Sequence, residues 1–160
     1  MIWPFRKKNR GPAPWPPTSS EDCSWSVGVS ENGESGPLIV RLNTTAADWR
    51  KHPELSIKLG FAIPLREPNP GGLPNPDENA ALDDIEDQIV AAVAAQTISI
   101  QVLALTNGEM KEFVFYIPEG VDIKTLHESL QAQVPSHEVQ CMAERDPDWD
   151  IYASFEQMMS

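Results

Sequence analysis

Between Thr97 and Ile117 two runs of alternating apolar and polar residues flank the dipeptide Asn107-Gly108. Alternation with a period of two marks a half-buried strand. Asn-Gly is the dipeptide best suited to a two-residue type I′ turn, whose central positions both need positive φ. The stretch is therefore predicted to be a β-hairpin. Pairing outward from the turn sets Val102 opposite Phe113, Ile100 opposite Phe115 and Ile98 opposite Ile117. All three pairs then share one face, and a slip of one residue would carry every side chain to the other. A chain with such a hairpin has to build a sheet with one face against a core.

The flanking segments extend that sheet. Cys23 to Val29 and Leu38 to Asn43 read as two short strands joined by a glycine-containing loop. Leu55 to Ile63 reads as a stronger strand, with Leu55, Ile57, Leu59, Phe61 and Ile63 on one face, and Pro64 ends it. Five prolines from Pro64 to Pro76, with Gly71 and Gly72, mark one connection. A helix follows: Asn75 caps it, Pro76 suits its first position, and Glu78 stands where a capping-box acid belongs. Leu82, Ile85, Ile89 and Val93 form its apolar stripe. Beyond the hairpin, Asp122 caps a second helix with the stripe Ile123, Leu126, Leu130 and Val134, which Pro135 stops. His137 to Glu144 is a last strand with Val139, Cys141 and Ala143 inward. Asp146-Pro147 then opens a short helix bearing Trp149, Tyr152 and Phe155 on one face.

From residue 55 the order is β-α-β-β-α-β. The predicted fold class is α+β: a ferredoxin-like sandwich with an N-terminal β-hairpin and a short C-terminal helix. Both helices are expected on one sheet face. The strands starting at Leu55 and Lys111 should be central, and those starting at Thr97 and His137 should be edges. The hairpin at 23–43 either extends an edge or covers the free face. Residues 21–160 are expected to form a single domain. Residues 1–20 are a basic, proline-rich tail with no repeating apolar face, expected to be extended or disordered.

Charge narrows the partners. The chain has a net charge of −12, yet Arg6, Lys7, Lys8 and Arg10 sit ahead of every acidic residue. Residues 11–160 hold eight basic against 24 acidic residues, a net −16. A body that acidic repels phosphate backbones, so no nucleic-acid partner is expected, and a basic or amphipathic protein partner fits better. Two cysteines make no disulfide framework, and no apolar run approaches the roughly 20 residues of a membrane span. A cytoplasmic location is expected, which leaves the glycosylation match at Asn43-Thr44-Thr45 idle. Ile2, Trp3 and Phe5 beside four cations offer transient contact of residues 1–10 with an anionic membrane, set against a simpler reading as a solvated chain start.

Several segments together resemble a bacterial family known as domain of unknown function 695. They are Gly72-Leu73-Pro74 with Glu78, Leu82 and Ile85-Glu86-Asp87; Glu112-Phe113-Val114-Phe115-Tyr116; and Asp146-Pro147-Asp148-Trp149 with Tyr152. Weaker matches lie at Trp25 and at Pro37 to Asn43. The resemblance spans about residues 22–156, the size of one domain. It implies a small cytoplasmic bacterial protein. It also implies regulation by protein contact, since some members stand beside domains similar to the B-type protein regulator of ribonuclease E. It brings no catalytic residues.

No constellation in the chain specifies a reaction. His52, His127, His137, Cys23 and Cys141 are scattered without paired ligand spacing, so no metal and no cofactor is expected. Asp146-x-Asp148-x-Asp150 mimics the start of a calcium loop, but Ile151 stands where glycine is needed and Gln157 where glutamate is, so helix capping explains the acids better. Ser30 and Ser35 lie in no nucleophile elbow, and the acidic run at 83–87 reads as a solvated helix face. No catalytic residue is assigned. Alternation points Leu103, Val114, Tyr116 and Met142 away from the helices, making them the candidate interaction face. Either the terminal helix covers that face, or it docks an unidentified protein partner or a second copy of the chain. The function expected is a non-enzymatic interaction or regulatory module; the alternative is a small-molecule-binding or hydrolytic domain.

Overall fold

The computed structural model describes residues 23–33 and 36–160. The expectations for the tail at 1–20, membrane contact included, and for Ser35 lie outside the described residues.

Six strands form one antiparallel sheet: β1 (Trp25–Gly33), β2 (Gly36–Asn43), β3 (Ile57–Pro64), β4 (Ile100–Thr106), β5 (Met110–Ile117) and β6 (Gln140–Arg145). Their order across the sheet is β1-β2-β4-β5-β3-β6. The β1–β2 hairpin therefore extends the sheet, with Ile39 to Leu42 paired to Thr106 back to Leu103. That pairing moves β4 from the expected edge to the interior. β3 and β5 lie inside the sheet, and β1 and β6 are its edges.

Helices α1 (Pro76–Gln96) and α2 (Ile123–Gln133) cover one face. Leu82, Ile85, Ile89 and Val93 of α1 and Leu126 and Leu130 of α2 pack with Leu59, Phe61, Ile63, Phe113, Phe115 and Ile117. Both phenylalanine rings of β5 are buried, and Phe115 meets Phe61 edge to face at 6.1 Å. The terminal helix α3 (Asp150–Met159) covers the opposite face, where Trp149 and Tyr152 pack with Val40, Leu42, Leu55, Ile100, Val102, Leu103, Val114 and Tyr116. Leu55 precedes β3 and belongs to this second core, not to the helical face expected for it. Ala143, expected inward, is exposed.

The central hairpin has a different register from the expected one. Thr106 pairs with Lys111, Ala104 with Phe113 and Leu103 with Val114, a shift of two residues at the turn. The turn is not type I′, because neither Asn107 nor Gly108 has positive φ. Instead the Asn107 side-chain carbonyl accepts the N–H groups of Glu109 (2.8 Å) and Met110 (2.9 Å), so a side chain holds the reversal. A bulge between Gln101 and Leu103 then adds one residue to β4. Beyond it Ile100 stands opposite Tyr116, so Ile98, Ile100 and Val102 fall in the α3-side core and not beside Phe113, Phe115 and Ile117. Gln101 takes the helical side instead and donates to Glu86 of α1 at 2.8 Å.

Gly108 serves close approach. A Cβ placed there would lie 2.0 Å from the Asn69 carbonyl oxygen, and the Asn69 N–H donates to the Gly108 carbonyl at 2.7 Å. Gly36, at φ +91°, meets Gly71 in the same way. The proline-rich connection is thus laid against the ends of both hairpins.

Candidate functional site

Among the described residues three places stand out: the face beneath α3, a cleft at the start of α1, and a groove along β1.

The face expected to dock partners is filled from within. Leu103, Val114 and Tyr116 are almost fully buried, whereas Met142 is 60% exposed. The Trp149 ring stacks on Tyr116 at 4.2 Å with 4° between planes, and its Nε1–H donates to the Leu55 carbonyl at 2.8 Å. Three of the four residues are out of a partner's reach while α3 is in place. Lys58, Glu112 and Gln140 surround the uncovered part near Met142 with Gly60 and Ala62. Burial raises the Glu112 carboxyl, with Lys58 opposing.

Asp146 explains how α3 is anchored. Its carboxylate accepts the Tyr116 hydroxyl (2.6 Å) and the N–H groups of Asp150 (2.8 Å) and Ile151 (3.2 Å) at the start of α3. Burial alone would raise this carboxyl, but those donors together hold it below the usual range. Burial, and after it the same bond, push the Tyr116 phenol upward. Tyr152, whose hydroxyl donates to the Asn43 carbonyl, is raised by burial to about 12. Asp146 acts as a helix cap, and Asp148 is exposed.

An open cleft of about 600 Å³ lies at the start of α1, lined by Arg66, Glu67, Asn75, Pro76, Asp77, Glu78, Ala81 and His137. Asn75 caps the helix as expected, accepting the Glu78 N–H at 2.8 Å. The Glu78 side chain does not return to Asn75 to complete a capping box. It accepts the N–H groups of Arg66 (2.6 Å) and Glu67 (3.0 Å) and the His137 Nε2–H (2.7 Å). Ser136 Oγ lies 2.9 Å from His137 Nδ1. Serine, histidine and glutamate therefore stand in line, a relay invisible in the sequence because Glu78 and His137 are 59 residues apart. Its geometry is that of a latch. The N–H groups that would stabilise an oxyanion are spent on Glu78, which ties the 64–76 connection and the approach to β6 onto α1. Burial raises the Glu78 carboxyl, but the Arg66 and Glu67 N–H groups and His137 together outweigh it and set it low.

Glu78→Ala should therefore cost about 3 kcal/mol, because it strands two backbone donors and a buried imidazole. A urea midpoint that falls at neutral pH with an unchanged slope would show it. Carboxyls set low in the folded state stabilise above their unfolded pKa of about 4 and lose that contribution as pH falls through the folded value. Wild type should lose stability below about pH 4, and Glu78→Ala should lose less over that window.

The other candidate ligands are in use. His127 Nε2–H donates to the Val139 carbonyl at 2.6 Å, and His52 Nδ1 accepts the Glu54 N–H at 3.1 Å. Cys141 is half-buried, and burial pushes its thiol up to about 11, which leaves almost no thiolate at neutral pH. Among the described residues no three of His, Cys, Asp and Glu gather as a metal site, and no helix is long and apolar enough to cross a membrane. In the 83–87 run Glu86 departs from the solvated face: it is buried and paired with Arg41 of β2 and with Gln101, whose Oε1 is buried without a partner.

The Arg41–Glu86 pair lies beside the third place. Val27, Ile39, Arg41, Leu73, Pro74, Asn79, Ala104, Thr106 and Lys111 line a groove of about 260 Å³ between the β1–β2 hairpin and α1. Val27 and Val29 pair with Arg41 and Ile39, so they share the helix-facing side of the sheet. They are 67% and 59% exposed, and Leu73 across the groove is 36% exposed. Lys111 is paired with Asp83 of α1 at 3.4 Å. Nothing in the sequence pattern singles out this groove, because its lining is gathered from four strands, α1 and the connection before it.

The molecule is thus an α+β protein with a six-stranded antiparallel sheet, two helices on one face and one on the other. Residues 23–155 match the model of DUF695, a family of unknown function, and the chain belongs to that family. No curated protein and no solved structure matches it.

Proposed function

We propose that this protein is a non-enzymatic interaction module that receives an extended segment of a protein partner along β1. The observation that carries this reading is that β1 is an edge strand among the described residues, with Val27 and Val29 exposed and Val27 lining the 260 Å³ groove. An edge strand offers unpaired N–H and C=O groups for strand addition, and alternate side chains of the incoming segment meet the groove. The acidic body favours a basic partner. The face of Leu103, Val114, Tyr116 and Met142 contributes to docking only at Met142, because α3 occupies the rest. The β4-β5-β3-β6 order with α1 and α2 on one face supports reading the core as a ferredoxin-like unit, to which the β1–β2 hairpin adds two strands. The hydrolytic alternative rests on the Ser136–His137–Glu78 line, where the Arg66 and Glu67 N–H groups already donate to Glu78.

Panning the full chain against a displayed peptide library tests the proposal. The enriched peptides should alternate apolar residues and carry lysine or arginine. Val27→Lys with Val29→Lys, which removes the apolar contact and repels basic peptides, should abolish their binding and leave the melting temperature within a few degrees, because both side chains are exposed. Peptides that bind the double variant equally well would defeat the reading.

A further inference from the structure

The groove beside β1 has a polar inner end that strand addition does not use. Ile39 of β2 stands opposite Thr106 of β4, and Thr106 stands opposite Lys111 of β5. Directly paired residues point to the same face, so these three side chains make a row on the helix-facing side, about 10 Å from end to end. The row begins apolar and finishes polar. Ile39, with Val27, Leu73, Pro74 and Ala104, forms the apolar wall, and Thr106 and Lys111 line the far end. Thr106 is 8% exposed, and among the described residues nothing bonds its hydroxyl. The Lys111 side chain is 9% exposed. Its ammonium carries three N–H donors, and among the described residues their one acceptor is an Asp83 oxygen at 3.4 Å. Asp83 is itself 64% exposed, so solvent screens the pair and holds it weakly. Arg41 is engaged elsewhere, between Glu86 and the Trp25 ring at 4.9 Å. No acid is among the described residues that line the groove.

We infer that this groove binds a small apolar monocarboxylate, its carboxylate on Lys111 and Thr106 and its hydrocarbon along Ile39, Leu73 and Pro74. Burying a charge and a hydroxyl without acceptors is costly, and one carboxylate accepts from both. At about 30 Å³ for each small group, the volume of about 260 Å³ takes about nine heavy atoms, a straight-chain acid of about six to eight carbons. A dianion such as phosphate fits less well, because Asp83 and Glu86 stand behind the two cations. An amine is repelled by Lys111. The site goes beyond the docking edge and does not depend on it: a partner strand adds to the outer side of β1, whereas Lys111 lies three strands further in.

Titrating the full chain with sodium octanoate, followed by nuclear magnetic resonance, tests the assignment. Saturable shifts should appear at Ile39, Leu73, Thr106 and Lys111. From butanoate to octanoate each added methylene should tighten binding about fourfold. Octanol and octylamine should bind at least about tenfold more weakly than octanoate, since neither gives Lys111 a charged acceptor. Asp83→Asn removes the acid that competes for Lys111 and alters only an exposed side chain, so octanoate should bind about threefold more tightly. Thr106→Val keeps the shape, loses the hydroxyl and should weaken binding about fivefold. Lys111→Met keeps the stem, and octanoate should then bind no better than octanol. If that variant does not fold, Asp83→Asn and Thr106→Val decide. Three results would overturn the inference: octanoate shifts that stay linear through the millimolar range, which means adventitious binding only; octanol binding as tightly as octanoate; or an affinity that Asp83→Asn and Thr106→Val both leave unchanged. Octanoate bound with no library peptide enriched leaves this site standing and removes the docking edge, and the converse result does the reverse.

Discussion

Trp149→Ala is expected to lower the stability of this protein by about 4 kcal/mol, the cost of emptying a fully buried aromatic site. The indole is 0% exposed. It stacks on Tyr116, meets Tyr152 edge to face at 5.5 Å, and donates to the Leu55 carbonyl. Truncation removes both ring contacts, leaves a buried carbonyl without its donor, and uncovers Leu103, Val114 and Tyr116 to water. Its left-handed backbone, at φ +56°, gives alanine no relief. Trp149→Phe keeps most of the ring area and drops only the N–H donor, so its cost should be about 1–2 kcal/mol. Urea unfolding of the two variants separates packing from hydrogen bonding. A loss under 1 kcal/mol for alanine would mean that the α3-side core closes without the stack. The alanine variant should also bind a hydrophobic dye under native conditions, because the sheet face behind α3 is apolar.

Gly108→Ala is the second large effect, expected at about 2–3 kcal/mol. The added methyl would sit 2.0 Å from the Asn69 carbonyl oxygen and 2.9 Å from that of Gly72, both backbone atoms that no rotamer change can clear. The 64–76 connection would have to lift away, losing the Asn69 N–H bond to the Gly108 carbonyl. Gly71→Ala is the control. Nothing lies within 4 Å of its Cβ position, so it bears only the cost of φ +82°, about 1 kcal/mol. Differential calorimetry should rank Gly108→Ala well below Gly71→Ala in melting temperature. Equal shifts would show that the turn, not the contact with the connection, sets the requirement for glycine.

That contrast shows where sequence reasoning succeeded and failed. Asn107-Gly108 was legible as a reversal, and it is one. The reason assigned to the glycine was local, a positive φ, whereas the operative reason is the approach of Asn69, nearly forty residues earlier. Glu78 has the same history. Its position three residues after the Asn75 cap matched a capping box, and the Asn75 half of that box formed. The carboxylate found better donors in Arg66, Glu67 and His137, which no local pattern contains. The interaction face was drawn from alternation along β4, β5 and β6. Its direction away from α1 and α2 held for Leu103, Val114, Tyr116 and Met142. Its exposure depended on where α3 settled, and the aromatic stripe Trp149–Tyr152 took the place reserved for a partner. The β1 groove gave no signal, since Val27 and Val29 alternate like any half-buried strand, and they are exposed on a strand at the edge of the sheet.

What this chain decided on its own is everything that rests on neighbours within about one helical turn or one strand. The caps at Asn75 and Asp122, the stripes of α1 and α2, the strand-ending Pro64 and the pairing of β4 with β5 are of this kind. The tertiary structure alone decided the bulge at Val102, the hairpin's place beside β4, the latch of Glu78 on His137 and the closure of the second face by Trp149. Short-range patterns report which face of an element is apolar. Which of several apolar faces finds which is settled only when the whole sheet competes for the same burial and every buried N–H and carbonyl must find a partner.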